Sequence, residues 1–237
     1  MSGAIVAMGG GGFSEEPDNP LLDRFALSLA RRERPRVCFV PTASGDADHY
    51  VVRFYRSFAP PRCEPSCLSL FRRDRGWAGR SFADHLLAQD VIYVGGGSVV
   101  GLLGAWRAHG LDEVLAEAWR RGIVLCGGSA GSLCWFAEAV TAFHGAPERV
   151  EGLGLLPHSN CVHYDAEPER RVAFRRFVDE GMAPGYAADD GVALHFVGSE
   201  LAHVVASRSG RHAYRVTPGA ETPLEARHLG KPALVAA

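Results

Sequence analysis

The chain has 237 residues, 47% of them apolar and 22% charged, with a formal net charge of -2. That length and composition suit one α/β domain over residues 1–237 with an ordinary packed core, and they exclude a disordered chain. The near-balanced charge offers no basic patch to neutralise a phosphate backbone, and no apolar run reaches membrane-spanning length, so neither nucleic acid nor a membrane is an expected partner.

In chain order, residues 5–8 read as a buried strand, followed by Gly9 to Gly12 and a polar segment with Pro17 and Pro20. A helix is predicted over residues 22–31, a strand over 37–40, a helix over 47–58, and strands over 67–71 and 91–94. The fourth strand ends in Gly95-Gly96-Gly97. Two helices follow, 99–109 and 111–121, separated by Gly110 and closed by Gly122. A fifth strand over 123–126 runs into Gly127-Gly128-Ser129-Ala130-Gly131 and an apolar helix start. Strands apolar on successive residues and spaced by helices predict a mostly parallel open sheet flanked by helices on both faces. From Thr141 the pattern shifts to shorter strands (192–196, 201–206, 213–216) and one helix (167–180), read as additions on one edge of that sheet. Residues 217–237, rich in Pro, Gly and Ala, are expected to be partly mobile. The six cysteines fall mostly in apolar runs, where a reduced thiol acts as a small hydrophobe. Cys63 and Cys67 lack a second pair with metal-ligand spacing. A cytoplasmic location is the simplest expectation.

The segment at 127–131 fits G-x-S-x-G between a strand and a helix. A serine on so sharp a turn is held in a strained backbone conformation with its oxygen exposed above the sheet edge, and small neighbours make room for it. The helix N-terminus behind it, with the Ala130 amide, can stabilise a developing oxyanion. Gly95-Gly96-Gly97-Ser98 ends the neighbouring predicted strand, at the carboxyl edge where open α/β sheets place their sites, and Gly97 is the candidate second oxyanion donor. Gly9 to Gly12 lacks the spacing of a dinucleotide fingerprint.

A serine hydroxyl needs a base. His163, in Cys161-Val162-His163-Tyr164-Asp165, has His158 and His144 as rivals. The base in turn needs an acid, and Asp190 in Ala188-Asp189-Asp190-Gly191 is one candidate among several. Spacing alone does not choose among them.

Taken together, Tyr93-Val94-Gly95-Gly96-Gly97-Ser98, Gly127-Gly128-Ser129-Ala130-Gly131 and Val162-His163-Tyr164-Asp165 resemble the peptidase E family of serine peptidases (family S51). Ala7-Met8-Gly9-Gly10-Gly11-Gly12-Phe13 and Phe39-Val40-Pro41-Thr42-Ala43-Ser44-Gly45 fit in the same order. The resemblance implies a fold like the class I glutamine amidotransferases and hydrolysis of short peptides from the N-terminal side, without metal or cofactor. It assigns the nucleophile to Ser129, the base to His163 and the acid to Asp190, with Asp189 and Glu167 as alternatives. Gly96 and Ser98, with Arg170 and Arg171, are the implied substrate contacts, in a monomer or homodimer. The best-known members remove an N-terminal aspartate, using an arginine in an E-T-R context shortly after the histidine. Here Glu167-Pro168-Glu169 stands in that place, with Arg170 and Arg171 just beyond, and Ser98 replaces an asparagine. Loss of a bidentate carboxylate partner would weaken selectivity for aspartate. The alternatives are a cyanophycinase-like hydrolase of β-aspartyl chains, an esterase, and a non-catalytic binding or regulatory module on the same scaffold.

Overall fold

A computed structural model describes residues 3–71 and 81–230. Among them, eight strands form one sheet in the order β14-β11-β10-β1-β5-β4-β2-β3, and six form a second in the order β13-β12-β9-β8-β6-β7. In the first sheet β1 (Ala4–Met8), β5 (Val124–Gly128), β4 (Val91–Val94), β2 (Arg36–Val40) and β3 (Glu64–Cys67) run parallel. β10 (Val192–Val197) is antiparallel to β1, β11 (Glu200–Ala206) is antiparallel to β10, and β14 (Arg227–His228) joins the edge.

β1, β2, β4 and β5 are almost wholly apolar because both of their faces are covered, whereas the edge strand β3 (Glu64-Pro65-Ser66-Cys67) is largely polar and only partly buried. Alternate residues feed two cores. Ile5, Ala7, Cys38, Val40, Ile92, Val94 and Leu125 point to the face packed by α4 (Val99–His109) and α5 (Leu111–Arg120). Val6, Met8, Val37, Phe39, Val91, Tyr93 and Cys126 point to the opposite face, packed by α1 (Leu21–Ser28) and α2 (Asp48–Ser57). Each fully buried aliphatic or aromatic side chain contributes about 1.5–3 kcal/mol, so the strand centres anchor the fold. Phe13, one residue past the first glycine turn, lies edge-on to Phe39, Phe54, Phe58 and Tyr93 at centroid distances of 5.1–5.7 Å. These rings pin the end of the Gly9 to Gly12 segment to the core.

The parallel α/β sheet agrees with the sequence reading, as do β10 and β11, the strands expected over 192–196 and 201–206, which extend one edge of it; the rest of the C-terminal half corrects the reading. Beyond β10, β11 and β14, this half does not add to the edge of the first sheet but builds a second one. α6 (Ala130–Leu133) lasts four residues, and the chain then enters β6 (Phe136–Thr141), β7 (Glu148–Glu151), β8 (Leu156–Cys161), β9 (Gly185–Ala188), β12 (Ala213–Thr217) and β13 (Ala220–Leu224). α7 (Pro168–Asp179) and the helix face carrying Phe174 and Val178 pack on it, against Val140, Cys161, Tyr164, Ala187 and Val216. Residues 217–230 enter both sheets: β13 pairs with β12, and Arg227 and His228 pair with β11. Side chains override the composition there, since Glu221 accepts a hydrogen bond from the Tyr164 hydroxyl at 2.5 Å and pairs with Arg171. Residues 231–237 lie outside the described ones. The third strand sits at Glu64–Cys67, ahead of the apolar run 67–71 that suggested it.

Candidate active site

The site lies at the carboxyl ends of β1, β4 and β5. Val94 of β4 pairs with Gly127 of β5, so the Gly95-Gly96-Gly97 turn and the serine turn leave the sheet side by side. A Cβ on Gly96 would lie 3.4 Å from the Ser129 Cβ and 3.9 Å from its Oγ, which fixes how closely the two turns approach.

Ser129 occupies the N-cap of α6 with φ 54° and ψ -120°, a region that residues with a side chain rarely enter. Its amide donates to the Met8 carbonyl at 3.3 Å, and its own carbonyl accepts from Ser132 and Leu133 at 2.8 and 3.0 Å. The strained turn is thus held from both sides.

His163 also has φ 54°, and its amide donates to the Gly9 carbonyl at 3.1 Å. Its side chain is 15% exposed, and Nδ1 lies 2.6 Å from Asp190 Oδ1. Burial opposes charge on the imidazole. The Asp190 hydrogen bond and charge, with that of Glu15, outweigh it and hold His163 above its ordinary value, while Arg170 pulls the other way. With Nδ1 engaged, Nε2 is the nitrogen left for proton transfer.

Asp190 is itself held in place. Its amide donates to Asp165 Oδ1 at 2.8 Å, and Asp165 is paired with Arg211. The next residue, Gly191, donates to the Gly10 carbonyl at 3.1 Å. A Cβ on Gly10 would fall 2.1 Å from Asp190 Oδ1, so only glycine lets the acid come this close. The two alternative acids are occupied elsewhere: Asp189 accepts from the His212 amide at 2.9 Å, and Glu167 pairs with Arg170 at 2.6 Å. Of the rival histidines, His158 sits on β8 packed against Tyr186 and Phe196, while His144 lies on the β6–β7 turn with Nε2 2.8 Å from Ser98 Oγ.

Gly97 has φ 135°, and a Cβ there would meet the Ala43 carbonyl oxygen at 2.2 Å. The turn is tied down by Ser98, whose amide donates to that same carbonyl at 2.9 Å and whose hydroxyl caps α4 by accepting from Gly101 at 3.0 Å. Arg170 and Arg171 both have intramolecular partners. Arg170 is buried against Glu167, and Arg171 pairs with Glu221 and stacks over the Tyr164 and Tyr214 rings at 5.1 and 4.8 Å. Two groups at the site escaped the sequence reading. Asp165 was in the His163 motif itself, without a role attached to it. Glu15 stands in a run of polar residues with nothing to mark it, yet a carboxylate oxygen of Glu15, a ring nitrogen of His163 and a carboxylate oxygen of Asp190 lie within 4.8 Å of one another.

The family model described as Peptidase family S51 matches residues 5–204. The chain belongs to peptidase family S51. It is 48% identical over 231 residues to a protein of Bacillus subtilis (strain 168) named "Uncharacterized peptidase YgaJ", covering 95% of this chain and 99% of that one. It is 30% identical over 174 residues to "Peptidase E" of Streptomyces coelicolor, covering 69% of this chain and 68% of that one. The solved structure of a peptidase from an acI-B1 Actinobacterium superposes with a TM-score of 0.72 at 20% identity, over 98% of this chain and 96% of that one, which shows a shared fold. An S51 chain is a peptidase, and the α/β fold described above is the S51 fold. Among the described residues, no helix is long and apolar enough to cross a membrane.

Proposed function

We propose that this S51 peptidase hydrolyses short peptides through an acyl-enzyme, with Ser129 as nucleophile, His163 as general base and acid, and Asp190 as the residue that orients His163. The observation that carries the reading is the 2.6 Å contact between His163 Nδ1 and Asp190 Oδ1, on a segment whose His163 amide bonds to the carbonyl next along the chain from the one that holds the strained Ser129 turn.

The steps follow the triad logic. His163 Nε2 takes the Ser129 hydroxyl proton as Oγ bonds to the peptide carbonyl carbon, and the carbonyl electron pair moves onto oxygen. The amides of Gly97 and Ala130 stabilise that oxyanion. Collapse breaks the C–N bond, and the leaving amine takes the proton from His163. Water then attacks the acyl ester, His163 again holds the proton, and it returns to Ser129 as the new carboxylic acid departs. Throughout, Asp190 keeps Nδ1 protonated and stabilises the imidazolium. The Gly96 and Ser98 segment forms the wall along which the peptide lies.

The pairing of Arg170 with Glu167 and of Arg171 with Glu221 supports a dipeptidase or exopeptidase without a strict requirement for an N-terminal aspartate. A guanidinium already neutralised by a carboxylate has little to offer a second one. The six free cysteines are consistent with a reducing, cytoplasmic setting. A dipeptide library varied at its first residue tests the reading, with Ser129→Ala as control. Turnover of several dipeptides by the parent and none by the variant is expected. Turnover confined to β-aspartyl peptides would move the protein to the cyanophycinase-like alternative, and turnover surviving in Ser129→Ala would overturn the nucleophile.

A further inference from the structure

Glu15 and Glu16 are adjacent acids with different surroundings. Glu16 is buried and fully engaged: it pairs with Arg208 at 2.6 Å and accepts from Asn19 Nδ2 at 2.8 Å and Ser207 Oγ at 3.2 Å. Glu15 is exposed as a residue, but its Oε2 is drawn back into the glycine loop by the Gly11 amide at 2.7 Å. That contact aims it at the back of the catalytic pair, where a Cβ on Gly10 would meet both Asp190 Oδ1 at 2.1 Å and Glu15 Oε2 at 2.9 Å. His163 therefore has two carboxylates within 4.8 Å, one bonded to it and one not.

We propose that Glu15 is a positioning residue for the S51 reaction, a second carboxylate whose charge, held by the Gly11 amide, stabilises the imidazolium that His163 becomes during catalysis. The proposal rests on His163 being the base, as above. Two negative charges beside one ring make its protonated form easier to reach while Ser129 gives up its proton, and the field needs no direct contact with substrate. The other charged groups around the pair are Arg170 from α7, which opposes protonation of His163, and Asp165 with Arg211 behind Asp190. On the far side of Glu15 lie Glu16 and, from α2, Tyr50 with Arg53 near it. Burial raises the Glu15 carboxyl, against the Gly11 amide and the pull of His163.

A charge series at position 15 tests this: Glu15→Gln and Glu15→Lys, with the His163 imidazole followed by NMR titration of histidine-labelled protein and kcat and KM measured across pH. The expected result is a downward shift of the His163 pKa by about 0.5–1 unit in Glu15→Gln and further in Glu15→Lys. The acid limb of kcat/KM should move with it, and kcat should fall several-fold with KM little changed. An unmoved His163 titration with superimposed pH profiles would overturn the role of Glu15. Loss of activity without a shift in the titration would also overturn it, by marking Glu15 as structural only. His163→Gln separates this outcome from failure of the parent reading: turnover surviving in that variant removes the base, whereas a dead His163→Gln with an unmoved titration removes only Glu15.

Discussion

Ser129 and His163 hang from consecutive carbonyls of one strand end, the Ser129 amide from Met8 and the His163 amide from Gly9. Both residues have φ 54°. The chain brings them from different sheets, β5 of the first and the end of β8 of the second, and the last residue of β1 with the first glycine after it sets their spacing. Ser129 and His163 are thus both located by backbone hydrogen bonds to the end of one strand.

A non-glycine residue in this backbone region costs about 1–3 kcal/mol, so Ser129 carries strain that glycine would relieve. Ser129→Gly is expected to raise stability by roughly 0.5–2 kcal/mol, after allowing for the greater freedom glycine has when unfolded, while abolishing turnover. Urea denaturation of the two proteins side by side checks this. A destabilised Ser129→Gly would mean that the elbow is not strained.

Asp190 and Asp189 are neighbours with separate partners, His163 and the His212 amide. Asp190→Asn should lower kcat by about 10²–10⁴ with KM and stability nearly unchanged, because the imidazole loses both its tautomer control and the compensating charge. Asp189→Asn should cost about 1–2 kcal/mol of stability and leave kcat close to that of the parent. Steady-state kinetics with chemical denaturation of both variants separates the two roles.

The raised pKa of His163 fixes the sign of the pH dependence. A general base works in its neutral form, so kcat/KM should fall as pH drops through a value above the ordinary 6.5. The same shift contributes stability that is fully present below the unfolded value and is lost as pH rises through the folded one. The pH profile of kcat/KM for the parent and for Asp190→Ala gives the check, with the limb expected at lower pH in the variant.

Asp23 lies under the glycine loop, where its Oδ1 accepts from the Tyr93 hydroxyl at 3.1 Å. Burial raises its pKa from 3.8 to about 7, against the Tyr93 and Phe13 hydrogen bonds. A carboxyl raised in the folded state favours folding when protonated, and that contribution is lost as pH climbs from about 4 to 7. Asp23→Asn, which keeps an acceptor for Tyr93, should therefore gain on the parent across this window, reaching about 2–4 kcal/mol by pH 8. Denaturation midpoints of both proteins at pH 4 and pH 8 test it, and a difference that does not grow with pH would contradict the assignment.

The parallel sheet was legible because four of its strands, β1, β2, β4 and β5, carry apolar residues in succession, while β3, Glu64-Pro65-Ser66-Cys67, has no such run and was placed too late; the serine turn was legible because glycines crowd both it and the neighbouring Gly95-Gly96-Gly97 turn. The second sheet was not. β7 reads Glu148-Arg149-Val150-Glu151 and β8 begins Leu156-Pro157-His158, without the apolar runs that mark a strand; β7 is set by its hairpin with β6, and β8 by parallel pairing with β6 and with β9 about 25 residues on. His163 and Asp190 became a pair only through the family resemblance, since their contact spans 27 residues and two loops. Glu15 had no signal at all: its role depends on where Gly11 turns its carboxylate.

Covalent labelling with a fluorophosphonate measures most directly whether Ser129 is an activated nucleophile. At neutral pH the intact protein should gain one adduct per chain, peptide mapping should place it on Ser129, and Ser129→Ala and His163→Gln should stay unmodified with the fold retained. A parent protein that remains unlabelled, or one labelled equally after Ser129→Ala, would contradict the account.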